Sequence, residues 1–380
     1  MKIAVFDDFV PHVDLGAGLP RANALVNELA QRCEQVVFTA LEGGAESPDR
    51  WYRDIDERIA IRVSHRGADC TAPLEALAAE GFDVLWVSRP PNMERVAAAF
   101  ARRPDLREAF TVVYDAEALY APRTVQFNRL AGIAMTAEAQ AAMIEREFAV
   151  ARGADFIVSV TQAEADALEA GTGRRVFVLG FTTLVDATTA AFGKRRDLGF
   201  VGPLRRSSPN EDSLFWYGAN VMHAVFARTQ AKLRVVGTVE SRAFLIYTGA
   251  ECEALGPRDD LRAFFDAIRV FIAPTRFAAG LPQKLIDAAS AGVPIVATSL
   301  LAQQLGWSHR SELLVADTAA AFADACVELY TSERLWTALR ANAARRILER
   351  YGPGCFSREL DAIVTAITDR PPRYTEPART

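Results

Sequence analysis

Residues 275–299, TRFAAGLPQKLIDAASAGVPIVATS, follow the β-rich run RVFIA (269–273) and themselves contain a second one, PIVAT (294–298). Between the two runs lies a short alanine-rich segment in which a glycine and a proline precede Lys284 and Asp287. Two apolar runs joined through a helical segment form a parallel crossover unit, because antiparallel neighbours need only a turn between them. Pro282 suits the first helical turn, where its missing N–H has no partner to lose. Gly280 lets the backbone approach a ligand closely, and the amides and dipole of a helix N-terminus favour a phosphate. Lys284 in that first turn opposes the dipole at a cost of about 0.3–1 kcal/mol; a bound anion would offset it. Asp287, three residues on, shares its face and is spaced to accept hydrogen bonds from ribose hydroxyls. Without a ligand the same two residues would form a solvated pair stabilising the helix by only a few tenths of a kcal/mol.

Working outward, the same alternation of strand and alanine-rich helix fills the chain in two sets. The first set runs KIAVF (2–6), QVVFT (35–39), RIAIRV (58–63), DVLWVS (83–88), FTVVYD (110–115), DFIVSV (155–160) and RVFVL (175–179), with helices at 20–32, 92–102 and 137–152. The second runs LGFVG (198–202), KLRVVG (232–237), CEAL (252–255), RVFIA and PIVAT. Each set predicts a doubly wound parallel sheet. The polar patch VDATTAAFGKRRD (185–197) reads as a linker, between a first domain over 1–184 and a second over 198–351. The segment 352–369 reads as a helix that crosses back to the first domain, and 370–380 as a tail. Two such sheets would face each other across a cleft at the carboxyl ends of their strands, where ligands of these folds bind.

The chain has 380 residues, half of them hydrophobic, and a formal net charge of −5. That balance supplies no basic field for nucleic acid. The opening MKIAVFDDFV reaches two aspartates too soon for a signal peptide, and no apolar run approaches a membrane span. A cytoplasmic protein is expected. Five scattered cysteines form no pair at metal-ligand spacing, so neither a disulfide framework nor a metal site is expected.

The order strand, APTRFAAGLPQK, helix, AGVPIVATSLLAQQLGW resembles the donor-binding region of retaining GT-B glycosyltransferases, specifically glycosyltransferase family four, in a bacterial polysaccharide branch with a PTRFAAG...K loop. The resemblance implies an α/β, GT-B architecture: two Rossmann-like doubly wound parallel-sheet domains facing a central cleft. It also implies a helix N-terminus that holds the donor diphosphate, with Asp287 at the acidic position that holds the ribose. The other acidic position of that family motif is Ala279 here, which leaves the backbone of Gly280 and Leu281 toward the donor. In LGFVGPLRRSSPNEDSLFWY (198–217), Pro203 and Ser208 stand where the family usually has an arginine and a lysine on the diphosphate. Arg205 and Arg206 are the replacements, since a guanidinium forks onto phosphate. Gly202 and Arg276 join the donor set. Asn210, in SPN ahead of an apolar run, reads as a helix cap.

In the first domain, DDFVPHVDLGAGLPRANALVNELA (7–30) places a glycine-rich loop after the first strand. By the same resemblance Gly16, Gly18 and Arg21 face the cleft, with His12 beside them. Ser88 and Arg89 occupy the place of the family's histidine. Asp115 and Glu117, two apart at a strand end, suit acceptor hydroxyl binding or base catalysis.

The implied reaction is transfer of a sugar from a nucleoside diphosphate sugar to a glycan or lipid-linked hydroxyl, with retention of configuration, no metal and no cofactor. Arg205, Arg206 and Lys284 would stabilise the leaving diphosphate. A lipid-linked acceptor would add a membrane-surface contact at the inner face. Two other readings compete: a GT-B nucleotide sugar epimerase or hydrolase, and a degenerate transferase that only binds glycan or nucleotide.

Overall fold

Each of the twelve runs forms a strand in the computed structural model, which describes residues 1–13, 18–43, 48–187, 190–240, 242–258 and 260–370. One sheet contains β1 (Lys2–Asp7), β2 (Gln35–Ala40), β3 (Ala60–Val63), β4 (Val84–Ser88), β5 (Thr111–Asp115), β6 (Phe156–Ser159) and β7 (Val176–Val178). The other contains β8 (Arg196–Val201), β9 (Leu233–Val236), β10 (Cys252–Gly256), β11 (Ile268–Ala273), β12 (Ile295–Ala297) and β13 (Leu314–Val315). Only β13 escaped the sequence pattern, because two residues are too few to show a period.

Both sheets are parallel throughout, with orders β3-β2-β1-β4-β5-β6-β7 and β10-β9-β8-β11-β12-β13. Strand order reverses between β1 and β4 in one and between β8 and β11 in the other. At such a reversal the loops leaving neighbouring strands diverge to opposite faces and leave a crevice. Successive β1 residues serve two cores: Ile3 and Val5 pack on one side of the sheet, Ala4 and Phe6 on the other. Burial on both faces explains why these strands read as unbroken apolar runs.

Packing divides the chain into two compact units. The first comprises Met1–Ala121, Met135–Gly180 and the chain from Phe356; the second comprises Pro122–Ala134 and Phe181–Cys355. The boundaries therefore differ from those read in the sequence. The first domain stops at Gly180, not 184, and β8 opens at Arg196 inside the presumed linker. Residues 122–134, embedded in the first half of the chain, pack with the second unit, where Phe127 lies 5.2 Å from Phe277 between ring centroids. The C-terminal helix spans Pro353–Thr368 and buries Phe356, Leu360, Ile363 and Ile367 against β1 and β4. These positions recur at helical spacing, which is why its amphipathic face was legible. The tail after residue 370 lies outside the described residues. Among the described residues no helix is long and apolar enough to cross a membrane.

Candidate functional site

In the second unit Lys284 stands beside β8, on the helix that follows β11. The helix that carries it is Gln283–Ser290, with Pro282 just ahead of the first turn at φ −76°, ψ 79° rather than inside it. Gly280, at φ +71°, turns the chain before the helix begins. Lys284 therefore sits in the first turn and reaches back across the strand ends. Its ammonium donates to Asn210 Oδ1 at 2.5 Å and lies 4.6 Å from the centroid of the Phe200 ring. No carboxylate of the described residues partners it, and burial alone pushes its pKa down to about 7. A desolvated ammonium that meets only a neutral amide and a ring face lacks a counter-charge. Asp287, on the same face, makes no side-chain hydrogen bond among the described residues, and burial raises its carboxyl to about 7. The two are not paired with each other, so the solvated-pair reading is not what the structure shows.

Asn210 is not the helix cap. Ser208 caps Pro209–Asn220 by accepting from the Glu211 amide, while the Glu211 carboxylate accepts from the Ser207 amide at 2.6 Å. This reciprocal arrangement answers two helix-end donors, and releases Asn210 to join the Pro203 carbonyl, at 3.0 Å, to Lys284. The reach requires glycines. A Cβ on Gly202 would lie 2.5 Å from Asn210 Nδ2, and one on Gly237, after β9, would lie 2.2 Å from the Gly202 carbonyl oxygen. Thr275 fixes the loop after β11: its hydroxyl meets Ser213 at 3.0 Å and its carbonyl accepts from Thr298 Oγ1 at 2.6 Å.

The remaining donor candidates separate from Lys284. Arg276 is taken by both carboxylate oxygens of Asp212. Arg205 is two-thirds exposed and 3.6 Å from Glu240, and Arg206 is exposed. Leu281 packs its side chain on the apolar core and accepts from the Gln283 amide at 2.9 Å.

In the first unit a buried ionic cluster occupies the corresponding reversal. Asp7 ends β1, and its Oδ1 accepts from Arg89 Nε and the Asp8 amide, both at 2.7 Å. Arg89 follows β4 at φ +75°, its amide tied to the Asp115 carbonyl. Asp115 ends β5 and accepts from Arg21 Nη1 at 2.8 Å and the Trp86 indole at 3.2 Å. Arg21, 1% exposed, donates its Nε to the carbonyls of Leu179 and Gly180. Glu117, at φ +53°, lies 3.4 Å from Arg89 and 3.9 Å from Arg21. Burial raises its carboxyl to about 8, against the pull of Arg89. Burial raises Asp7 as well. The same burial works against the Arg89 charge, but Asp7, Glu117 and Asp8 together outweigh it and keep the guanidinium protonated.

Gly18 caps the helix Leu19–Ala30 at φ +85°, with its Cα turned to the Glu117 carboxylate. Gly16 lies outside the described residues. Ser88 is buried at the end of β4, where its carbonyl accepts from Asn92. His12 stands apart from the cluster, buried with Nδ1 2.5 Å from Asp54. The structure thus assembles Gly18, Arg21, Arg89, Asp115 and Glu117 and leaves His12 outside. It adds Asp7 and Asp8, whose place directly after the first apolar run was the available signal. Asn210, Gly237 and Phe200 were also missed, and for Asn210 no local signal exists, since its partner is 74 residues away.

Residues 195–332 match the family model described as glycosyl transferases group 1. No curated protein matches the chain in sequence. Among solved structures, sucrose-phosphate synthase from Thermosynechococcus elongatus is similar with a TM-score of 0.73 at 14% identity, over 97% of this chain and 99% of that one. Anabaena HepE in complex with UDP gives 0.72 at 13% identity, over 96% and 100%. A glycosyltransferase from Rickettsia africae gives 0.68 at 11%, over 97% and 99%. At these identities the likeness concerns the fold, which is GT-B: two Rossmann-like units with seven- and six-stranded parallel sheets.

Proposed function

We propose that this chain is a glycosyltransferase that moves a sugar from a nucleoside diphosphate sugar to a hydroxyl of a glycan or lipid-linked acceptor, with retention of configuration and without a metal. The observation that carries the reading is Lys284: a desolvated ammonium with no counter-charge among the described residues, at the strand-order reversal of the segment that matches glycosyl transferases group 1. A diphosphate supplies the missing charge. As the bond from the anomeric carbon to the diphosphate breaks, negative charge grows on the leaving oxygen, and a fixed cation in a low-dielectric site stabilises that charge more than it stabilises the bound donor. Asp287, in the same helix, accepts from the ribose hydroxyls. Arg205 and Arg206, both exposed after β8, supply guanidiniums to the phosphates.

UDP is the first probe because the structurally similar Anabaena protein is seen with UDP. The proposed setting is cytoplasmic, at the inner face of the membrane if the acceptor is lipid-linked. A thermal-shift screen against UDP, GDP, dTDP, ADP and CDP sugars tests the donor class, since a ligand that binds only the folded protein raises its melting temperature. At least one should raise it, and Lys284→Ala should abolish the shift and lower kcat by about 10²–10³-fold. No shift with any of the five would overturn the reading.

A further inference from the structure

The residue that meets the Lys284 ammonium is neutral, although its next two neighbours in the chain are acidic. In Asn210-Glu211-Asp212, at the start of the helix Pro209–Asn220, each carboxylate is engaged elsewhere: Glu211 Oε2 accepts from the Ser207 amide at 2.6 Å, and both oxygens of Asp212 accept from Arg276. Only Asn210 of the three turns to Lys284. Its far end fixes its orientation: Nδ2 donates to the Pro203 carbonyl at 3.0 Å, which leaves Oδ1 to accept from the ammonium at 2.5 Å. Turned end for end, the amide would set its N–H groups against the ammonium and its oxygen against a carbonyl, and neither pair can bond.

An ammonium carries three N–H donors. One is spent on Asn210, and the other two meet no acceptor among the described residues. The charged groups on the neighbouring elements are Glu211 and Asp212 on the helix Pro209–Asn220, Arg276 after β11 and Asp287 on the same helix as Lys284; none of them bonds it, and burial is the sole cause of its shift. A carboxylate in place of the amide would pair with the ammonium and answer its charge before any ligand arrived, whereas a neutral acceptor holds it and leaves it unanswered. We propose that Asn210 is a positioning residue of the donor site, which aims the Lys284 ammonium while leaving its charge for the diphosphate; this rests on the glycosyltransferase reading above. Binding then breaks no ion pair at Lys284, and two N–H groups of a held cation meet the phosphate oxygens.

The test uses the full chain and whichever of the five nucleotide sugars gives the largest thermal shift, titrated by calorimetry at pH 8 in two buffers of different ionisation enthalpy. Asn210→Asp keeps the shape and an acceptor but adds a counter-charge; Asn210→Ala removes the acceptor and adds no charge. Asn210→Asp should weaken binding by about 10–10²-fold, more than Asn210→Ala does. A role in packing alone predicts the opposite order, since Asp is closer to Asn in shape. Proton uptake separates the variants again. With burial holding the empty Lys284 at about 7, wild type takes up a proton on binding at pH 8, and Asn210→Ala should still do so. Asn210→Asp, whose ammonium is already charged, should not. An Asn210→Asp protein that binds no more weakly than Asn210→Ala, or that takes up a proton as wild type does, overturns the proposal. So does Asn210→Ala at wild-type affinity, an arm that decides even where Asn210→Asp does not fold. If wild type binds none of the five nucleotide sugars, the glycosyltransferase reading itself fails, a result distinct from a wild type that binds while the variants depart from the stated order.

Discussion

Burial drives Lys284 and Asp287 toward the same point on the pH scale, the ammonium down from 10.5 and the carboxyl up from 3.8, each to about 7. For Lys284 the unfolded chain binds more protons between about 7 and 10.5, so stability rises with pH across that window. For Asp287 the folded chain binds more protons between 3.8 and about 7, so stability falls as pH rises there. In the empty protein the pair contributes least near neutrality, where both sites give up their favoured forms. Under the proposed function a bound diphosphate reverses this for Lys284 by favouring the charged form. Nucleotide binding at pH 8 should therefore take up protons, and its affinity should fall as pH rises above 7. Calorimetry of UDP binding in buffers of different ionisation enthalpy reads the uptake; wild type should show it and Lys284→Gln should not. Identical heats of binding in all buffers would remove the linkage. The residue types and spacing of this site were legible as Gly280, Lys284 and Asp287. The absence of a counter-ion was not, because it depends on everything else that packs around the ammonium.

Individual elements follow local pattern wherever the pattern is long enough. Ile3 to Phe6 alternate between two cores, and Phe356, Leu360, Ile363 and Ile367 recur on one helical face. Strand β13 has two residues and left no trace. The start of the helix Pro209–Asn220 was displaced in the sequence reading, since both Ser208 and Asn210 are cap-forming residues and only the fold shows which one bonds the helix amides. Ser208→Ala should destabilise the second unit by about 1 kcal/mol, measured by urea unfolding. A change indistinguishable from zero would mean that the Glu211 bond to Ser207 holds the helix end without it.

At the scale of the whole molecule, the chain leaves and re-enters each unit. Residues 122–134 pack with the second unit although they sit between β5 and β6 of the first, and the chain from Phe356 returns to the first. Leu360, fully buried against the β1–β4 core, is what secures that return. Leu360→Ala should destabilise the first unit by about 2–5 kcal/mol, with faster hydrogen exchange in β1 and β4 and little change in β8 and β11. Equal acceleration in both sheets would show that the two units unfold as one. Taken alone, the sequence determined the element types and the two parallel sheets, and it singled out the helix that carries Lys284 and Asp287, because each of these is a regular local pattern. Tertiary structure decided that Asn210 holds Lys284 and that Asp115 is spent on Arg21, 94 residues away, while Glu117 keeps an open oxygen. The physical reason is desolvation: how far a carboxyl or an ammonium is pushed, and whether it is answered, depends on the low-dielectric surroundings that distant segments build around it.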